Sequence, residues 1–126
     1  MNSKKVLLIG WNPNSVDYNK YPGMNPEKLR SFLEGDMHRL NDEGYAAEMC
    51  YIDSEGSAEK RIRDILHKKT FDIIMVGAGV RKDDDCFYLF EKLVNVIHHS
   101  ASKSKICFNT GPSDSVEAVK RCDLMY

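Results

Sequence analysis

Three short segments carry residue types suited to holding a small molecule: Gly10-Trp11-Asn12-Pro13, Gly77-Ala78-Gly79-Val80-Arg81 and Asn109-Thr110-Gly111. Glycine lets backbone N–H groups come close to a ligand, and a guanidinium forks onto a phosphate or carboxylate. Gly77, Gly79 and Arg81 therefore read as an anion-binding loop, and Trp11 as a flat surface to pack on the ligand. Asn12, Asn109 and Thr110 would hydrogen-bond its polar edge. Acid–base chemistry would fall to a carboxylate, Asp17 or Asp53, because no histidine is placed to help. His38 and His67 read as surface residues, and His98 lies about 14 residues into a helix that starts at the crevice, roughly 20 Å away.

Each feature also has a plainer reading. The glycines equally serve a tight turn, since Gly-x-Gly-x-x-Gly spacing and a Walker-type phosphate loop are both absent. Trp11, Tyr18 and Tyr21 equally serve as anchors for a long loop, residues 11–25, that otherwise reads as a lid. Asp83-Asp84-Asp85 reads as a solvated helix start rather than a magnesium site, and no metal site is assigned. Cys86 follows those acids, which disfavour a thiolate, so it reads as an inert thiol.

The elements that must position these residues are legible in the hydrophobic pattern. Apolar runs at 4–9, 46–52, 71–76 and 105–108 are each followed by a turn and a helical period, which reads as four βα units. Val6 to Ile9 and Ile73 to Val76 are apolar throughout, as central parallel strands must be, whereas Glu48 marks the second strand as an edge. Asn25-Pro26-Glu27 opens a first helix that buries Leu29, Phe32, Leu33, Met37 and Leu40 and ends before Gly44. A second helix starts near Ser57 with Ala58, Ile62, Ile65 and Leu66 inward. The third runs from about Asp84 to His99, burying Phe87, Phe90, Leu93, Val94 and Ile97, and a short fourth carries Val116, Val119 and Cys122.

Right-handed crossovers then favour a three-layer α/β/α sandwich, Rossmann-like or flavodoxin-like, with a four-stranded parallel sheet in order 2-1-3-4. Winding reverses between strands one and three, and ligands sit at the carboxyl ends of the strands at such a reversal. The alternative order 1-2-3-4 would remove the crevice.

Composition narrows the partners. The 126 residues fit one α/β domain spanning 1–126. Eighteen Lys+Arg against nineteen Asp+Glu give a net charge of -1, which draws in neither nucleic acid nor a membrane surface. Cys50, Cys86, Cys107 and Cys122 form no Cys-x-x-Cys pair, and no apolar run reaches the length of a signal or a membrane span. A reducing, cytoplasmic setting follows as the expectation.

Together, Gly10-Trp11-Asn12-Pro13, Tyr21-Pro22-Gly23-Met24, Gly77-Ala78-Gly79-Val80-Arg81, Leu89-Phe90-Glu91-Lys92 and Phe108-Asn109-Thr110 resemble a family of small uncharacterised microbial α/β proteins. The resemblance implies a compact α/β domain with recurring polar positions at Asn12, Arg81, Asn109 and Thr110, and implies no activity. The chain departs from that pattern at Lys82 to Asp85 and in its Cys122 to Tyr126 tail. It lacks the acids of a phosphoacceptor receiver domain and the hydroxyl-rich first loop of a flavodoxin.

The resulting expectation is a domain that binds an anionic or nucleotide-like metabolite, with the cofactor unassigned and enzymatic activity left open. The alternative is a non-catalytic interaction or homo-oligomeric scaffold module. There the apolar fourth strand, Ile106-Cys107-Phe108, would pair with a second copy as a homodimer.

Overall fold

Val6 to Ile9 and Ile73 to Val76 are buried at every position in the computed structural model, which describes residues 3–126. Only strands covered on both faces achieve this. They belong to β1 (Lys5–Trp11) and β3 (Ile73–Val76), the central pair of one parallel sheet flanked by β2 (Ala46–Ile52) and β4 (Lys105–Phe108). The order is β2-β1-β3-β4, so the winding reverses between β1 and β3. β2 is an edge, and its Glu48 reaches Lys69 at 3.0 Å.

Alternation along the strands divides the core in two. Leu7, Ile9, Ile74 and Val76 pack with Ala58 and Ile62 of α2 (Glu55–Lys68) and with Leu93 and Ile97 of α4 (Phe87–Ser100). Val6, Leu8, Ile73 and Met75 pack with Leu40 of α1 (Pro26–Asp42) and with Ala118, Val119 and Cys122 of α5 (Ser115–Met125). The three-layer arrangement expected from the pattern is present. No helix among the described residues is long and apolar enough to cross a membrane.

Helix starts follow local chemistry. Asn25 Oδ1 accepts from the Lys28 amide at 2.9 Å, with Pro26 supplying the preset φ of the first turn. Ser54 Oγ accepts from the Ser57 amide at 3.2 Å, which moves the start of α2 ahead of the expected Ser57. Gly44 closes α1 at φ +95°, a conformation that glycine enters without strain.

Two expectations about the helices are corrected. In α1, Leu40 is buried as expected but Phe32 is 46% exposed, and Asp36 is buried too, its carboxylate taking Arg39 Nη2 at 2.5 Å and the Ser115 amide at 2.9 Å. The helix expected from about Asp84 to His99 opens as a 3-10 turn at Asp84–Cys86 before α4, and a further short helix, α3 (Ala78–Arg81), precedes it. Asp83 Oδ1 accepts from the Asp85 amide at 3.0 Å and so winds that turn. A 3-10 turn advances about 120° per residue against about 100° in an α-helix, which rotates the helix that follows. The inward face becomes Cys86, Leu89, Leu93, Val96 and Ile97, while Phe87 is exposed and Phe90 and Val94 are half-buried.

β4 is the other edge, and α5 covers part of it. Arg121 Nη2 donates to the Phe108 carbonyl at 2.8 Å, and Cys122 Sγ lies 3.7 Å from the Ile106 carbonyl. These alternate carbonyls face away from β3, so pairing β4 with a second copy would compete with the hydrogen bonds α5 already makes.

Candidate functional site

A cleft of about 440 Å³ opens at the carboxyl ends of β1, β3 and β4, at the winding reversal. That volume suits a small organic ligand. Gly10 and Trp11 form its floor at the end of β1, Ala78, Gly79, Lys82 and Asp83 one wall, and Asn109 to Pro112 another. Leu29 and Leu33 of α1 close the back.

The segment between β1 and α1 forms the remaining side. It is wound into two 3-10 turns, Pro13–Ser15 and Tyr18–Lys20, each started by a side chain. Asn12 Oδ1 accepts from the Asn14 amide at 2.9 Å and Asp17 Oδ1 from the Asn19 amide at 3.1 Å. The Tyr18 hydroxyl donates to the Pro13 carbonyl at 2.5 Å, folding the segment on itself. Val16, Tyr18, Tyr21 and Met24 thereby join Trp11 to make a largely apolar lining.

Of the candidate residues, Trp11, Asp17, Gly79, Asn109 and Thr110 line the cleft, whereas Asn12, Asp53, Gly77 and Arg81 do not. Asn12 Nδ2 donates to Asp53 Oδ1 at 2.9 Å, so these two occupy each other beyond the end of β2. Gly77 is a packing glycine: its amide donates to the Ile9 carbonyl at 2.9 Å, and an added Cβ would lie 3.1 Å from that same oxygen. The Ala78 amide donates to Asn109 Oδ1 at 2.7 Å. Two amides of the expected anion cradle are thus spent inside the fold.

Arg81 is drawn the same way. Its Nη2 donates to the Asn109 carbonyl at 2.9 Å and its guanidinium lies 5.8 Å from the centre of the Phe108 ring, while Nε is buried without a partner. Asn109 is 3% exposed, and besides accepting from Ala78 it donates through Nδ2 to Ser115 Oγ at 3.2 Å. From its place just after β4 it ties the start of α3 to the start of α5. Thr110 is locked to Asp114, whose carboxylate takes its hydroxyl at 2.7 Å and its amide at 3.0 Å. Burial alone would raise the Asp114 pKa, but these bonds and one from the Gly111 amide outweigh it and hold the carboxyl below its usual value.

The cations that line the cleft are Lys20 and Lys82. Lys82 Nζ lies 3.3 Å from the Thr110 carbonyl and is exposed. As the next residue on the helical path at the end of α3, it points about 100° away from Arg81. Lys20 Nζ reaches Asp83 Oδ2 at 3.0 Å and Asp85 Oδ2 at 2.7 Å, and the bond from Lys20 holds the Asp83 carboxyl below its ordinary range. Burial, followed by the Asp83 charge, pushes the Cys86 thiol up, so the sulfur at this wall stays protonated at neutral pH. Among the described residues, no group of three or more His, Cys, Asp or Glu is placed to share a metal ion.

The arrangement defines a doubly wound parallel α/β domain with an aromatic cleft at its switch point. In comparison with known proteins, the chain matches no family model and no curated protein.

Proposed function

We propose that this domain binds a small metabolite bearing a flat ring and one anionic group in the carboxyl-edge cleft. The observation that carries the reading is the lining itself: Trp11, Tyr18 and Tyr21 converge on one space of about 440 Å³ at the winding reversal. Trp11 packs on the ring, Lys82 meets the anion in place of Arg81, and Asp17, a carboxylate of the lining that is not paired with Lys20, serves any proton transfer. Four of the motifs that resemble the family of small microbial α/β proteins contribute lining residues: Trp11, Met24, Gly79 and Asn109 among them. That clustering supports a shared site over scattered turns.

Trp11 is the single tryptophan of the chain, so its fluorescence reports on the cleft. We expect nucleosides with phosphates to quench it and to raise the melting temperature, and sugar phosphates lacking a ring to act more weakly. Lys82→Ala should weaken binding by roughly 10- to 100-fold, the range for a lost hydrogen bond to a charged group. Arg81→Ala should lower stability and leave the preference for the anion intact. A screen of nucleosides, nucleotides and sugar phosphates with no response in either signal would refute the reading. The scaffold alternative has less support, because the outer carbonyls of Ile106 and Phe108 already have partners in α5.

A further inference from the structure

We infer that residues 15–22 form a lid on the cleft, anchored at its two ends and tied across by an ionic latch, Lys20 to Asp83 and Asp85, and that releasing this latch admits the ligand. The inference rests on the binding reading above for its purpose and on the geometry of the segment for its mechanics. Residues 15–22 bond chiefly to themselves: the Tyr18 hydroxyl to the Pro13 carbonyl, the Asn19 amide to Asp17, the Tyr21 amide to the Tyr18 carbonyl. Among the described residues, the polar link that 15–22 make beyond the segment 12–25 is Lys20 Nζ, 3.0 Å from Asp83 Oδ2 and 2.7 Å from Asp85 Oδ2. The ends of the segment are anchored separately, Asn12 to Asp53, Asn14 to Arg30 at 3.4 Å and the Gly23 carbonyl to Lys28 Nζ at 3.1 Å.

That link joins two sides of the cleft, since Lys20 and Asp83 both line it. Lys20 stands on the lid, and Asp83 on the wall built by the turn after α3. A segment closed on itself by short turns moves as a unit when its external tie breaks. Gly23, at φ +85° with open space where a Cβ would be, sits at the bend where the segment rejoins α1. The wall side of the latch is fixed, since Asp83 Oδ1 also holds the Asp85 amide at 3.0 Å. Asp85 is mostly exposed, so salt reaches the latch and screens it.

Collisional quenching of Trp11 by acrylamide reads the lid without any ligand. We expect the quenching constant to rise by a factor of roughly 1.5 to 5 in Lys20→Gln, the range set by exposed ion pairs. The wild type in about 1 M NaCl should behave likewise, because screening there falls to about 3 Å. Lys60→Gln, which breaks the Lys60–Asp64 pair on the exposed side of α2, should leave quenching unchanged. Lys20→Arg, which keeps the charge facing Asp83 and Asp85, should stay near the wild-type value. Amide exchange of residues 15–22 in the wild type, at low and at high salt, gives a second reading that needs no variant.

Equal quenching in wild type and a folded Lys20→Gln, or salt-independent exchange across residues 15–22, overturns the latch. Such a result leaves the binding proposal untouched. A working latch in a chain that answers no nucleotide would instead overturn the binding reading alone.

Discussion

Asn109 shows how a residue's type and its role come apart. An amide beside a glycine-rich turn invites a ligand, yet here Oδ1 accepts from Ala78 and Nδ2 donates to Ser115 in a nearly solvent-free setting. Asn109→Ala should therefore cost about 2 kcal/mol of stability in urea unfolding, because it strands buried partners. Asp36 makes a parallel case: its carboxylate serves the first amide of α5, which Asp114 does not cap. Asp36→Ala should cost about 2–3 kcal/mol by the same measurement. The cysteines argue the other way, from type to inertness. All four are buried and free, and burial raises their pKa values, with Cys107 pushed up to about 12. A thiol-reactive dye at pH 8 should label them slowly in the native chain and fully in urea.

At the scale of elements, the decisive feature is the turn between β3 and α4. Gly77 and Gly79 look equivalent in the sequence, but they do different work. A Cβ at Gly77 would press on the Ile9 carbonyl at 3.1 Å, whereas one at Gly79 would meet Trp11 Cδ1 at an ordinary 3.6 Å. Gly77→Ala should lower the melting temperature, while Gly79→Val should keep the fold and narrow the cleft, read as altered Trp11 emission. The caps at Asn25 and the edge character of β2 were legible because each is a local signal: a side chain bonding three residues on, or a charge in a strand. The phase of α4 was not. It is set by Asp83 winding a 3-10 turn, and neither the apolar spacing of Phe87, Phe90 and Val94 nor their size carries that information.

For the whole molecule, titration sets the pH range of stability. Asp83, Asp114 and Asp123, the last held by Lys4 and the Tyr45 hydroxyl, have folded pKa values below the ordinary 3.8, so the stability they give is full above about pH 4 and is lost as pH falls through their folded values. The buried thiols lie above the ordinary 9.0, so their contribution is full below pH 9 and is lost as pH climbs toward about 12. Thermal melts should plateau between these limits and decline on both sides; a melting temperature still rising below about pH 4 would contradict the carboxylate assignments. By itself the sequence determined the four βα units and favoured the strand order that places a cleft at one end of the sheet, because periods of two and 3.6 and a handedness rule are properties of neighbouring residues, while the choice against order 1-2-3-4 came from the tertiary structure. Tertiary structure alone decided that Lys82 rather than Arg81 lines that cleft, that Asn109 and Asp36 are joints, and that Lys20 pairs with Asp83. Each of these depends on how segments far apart in the chain are rotated against one another, which no local pattern encodes.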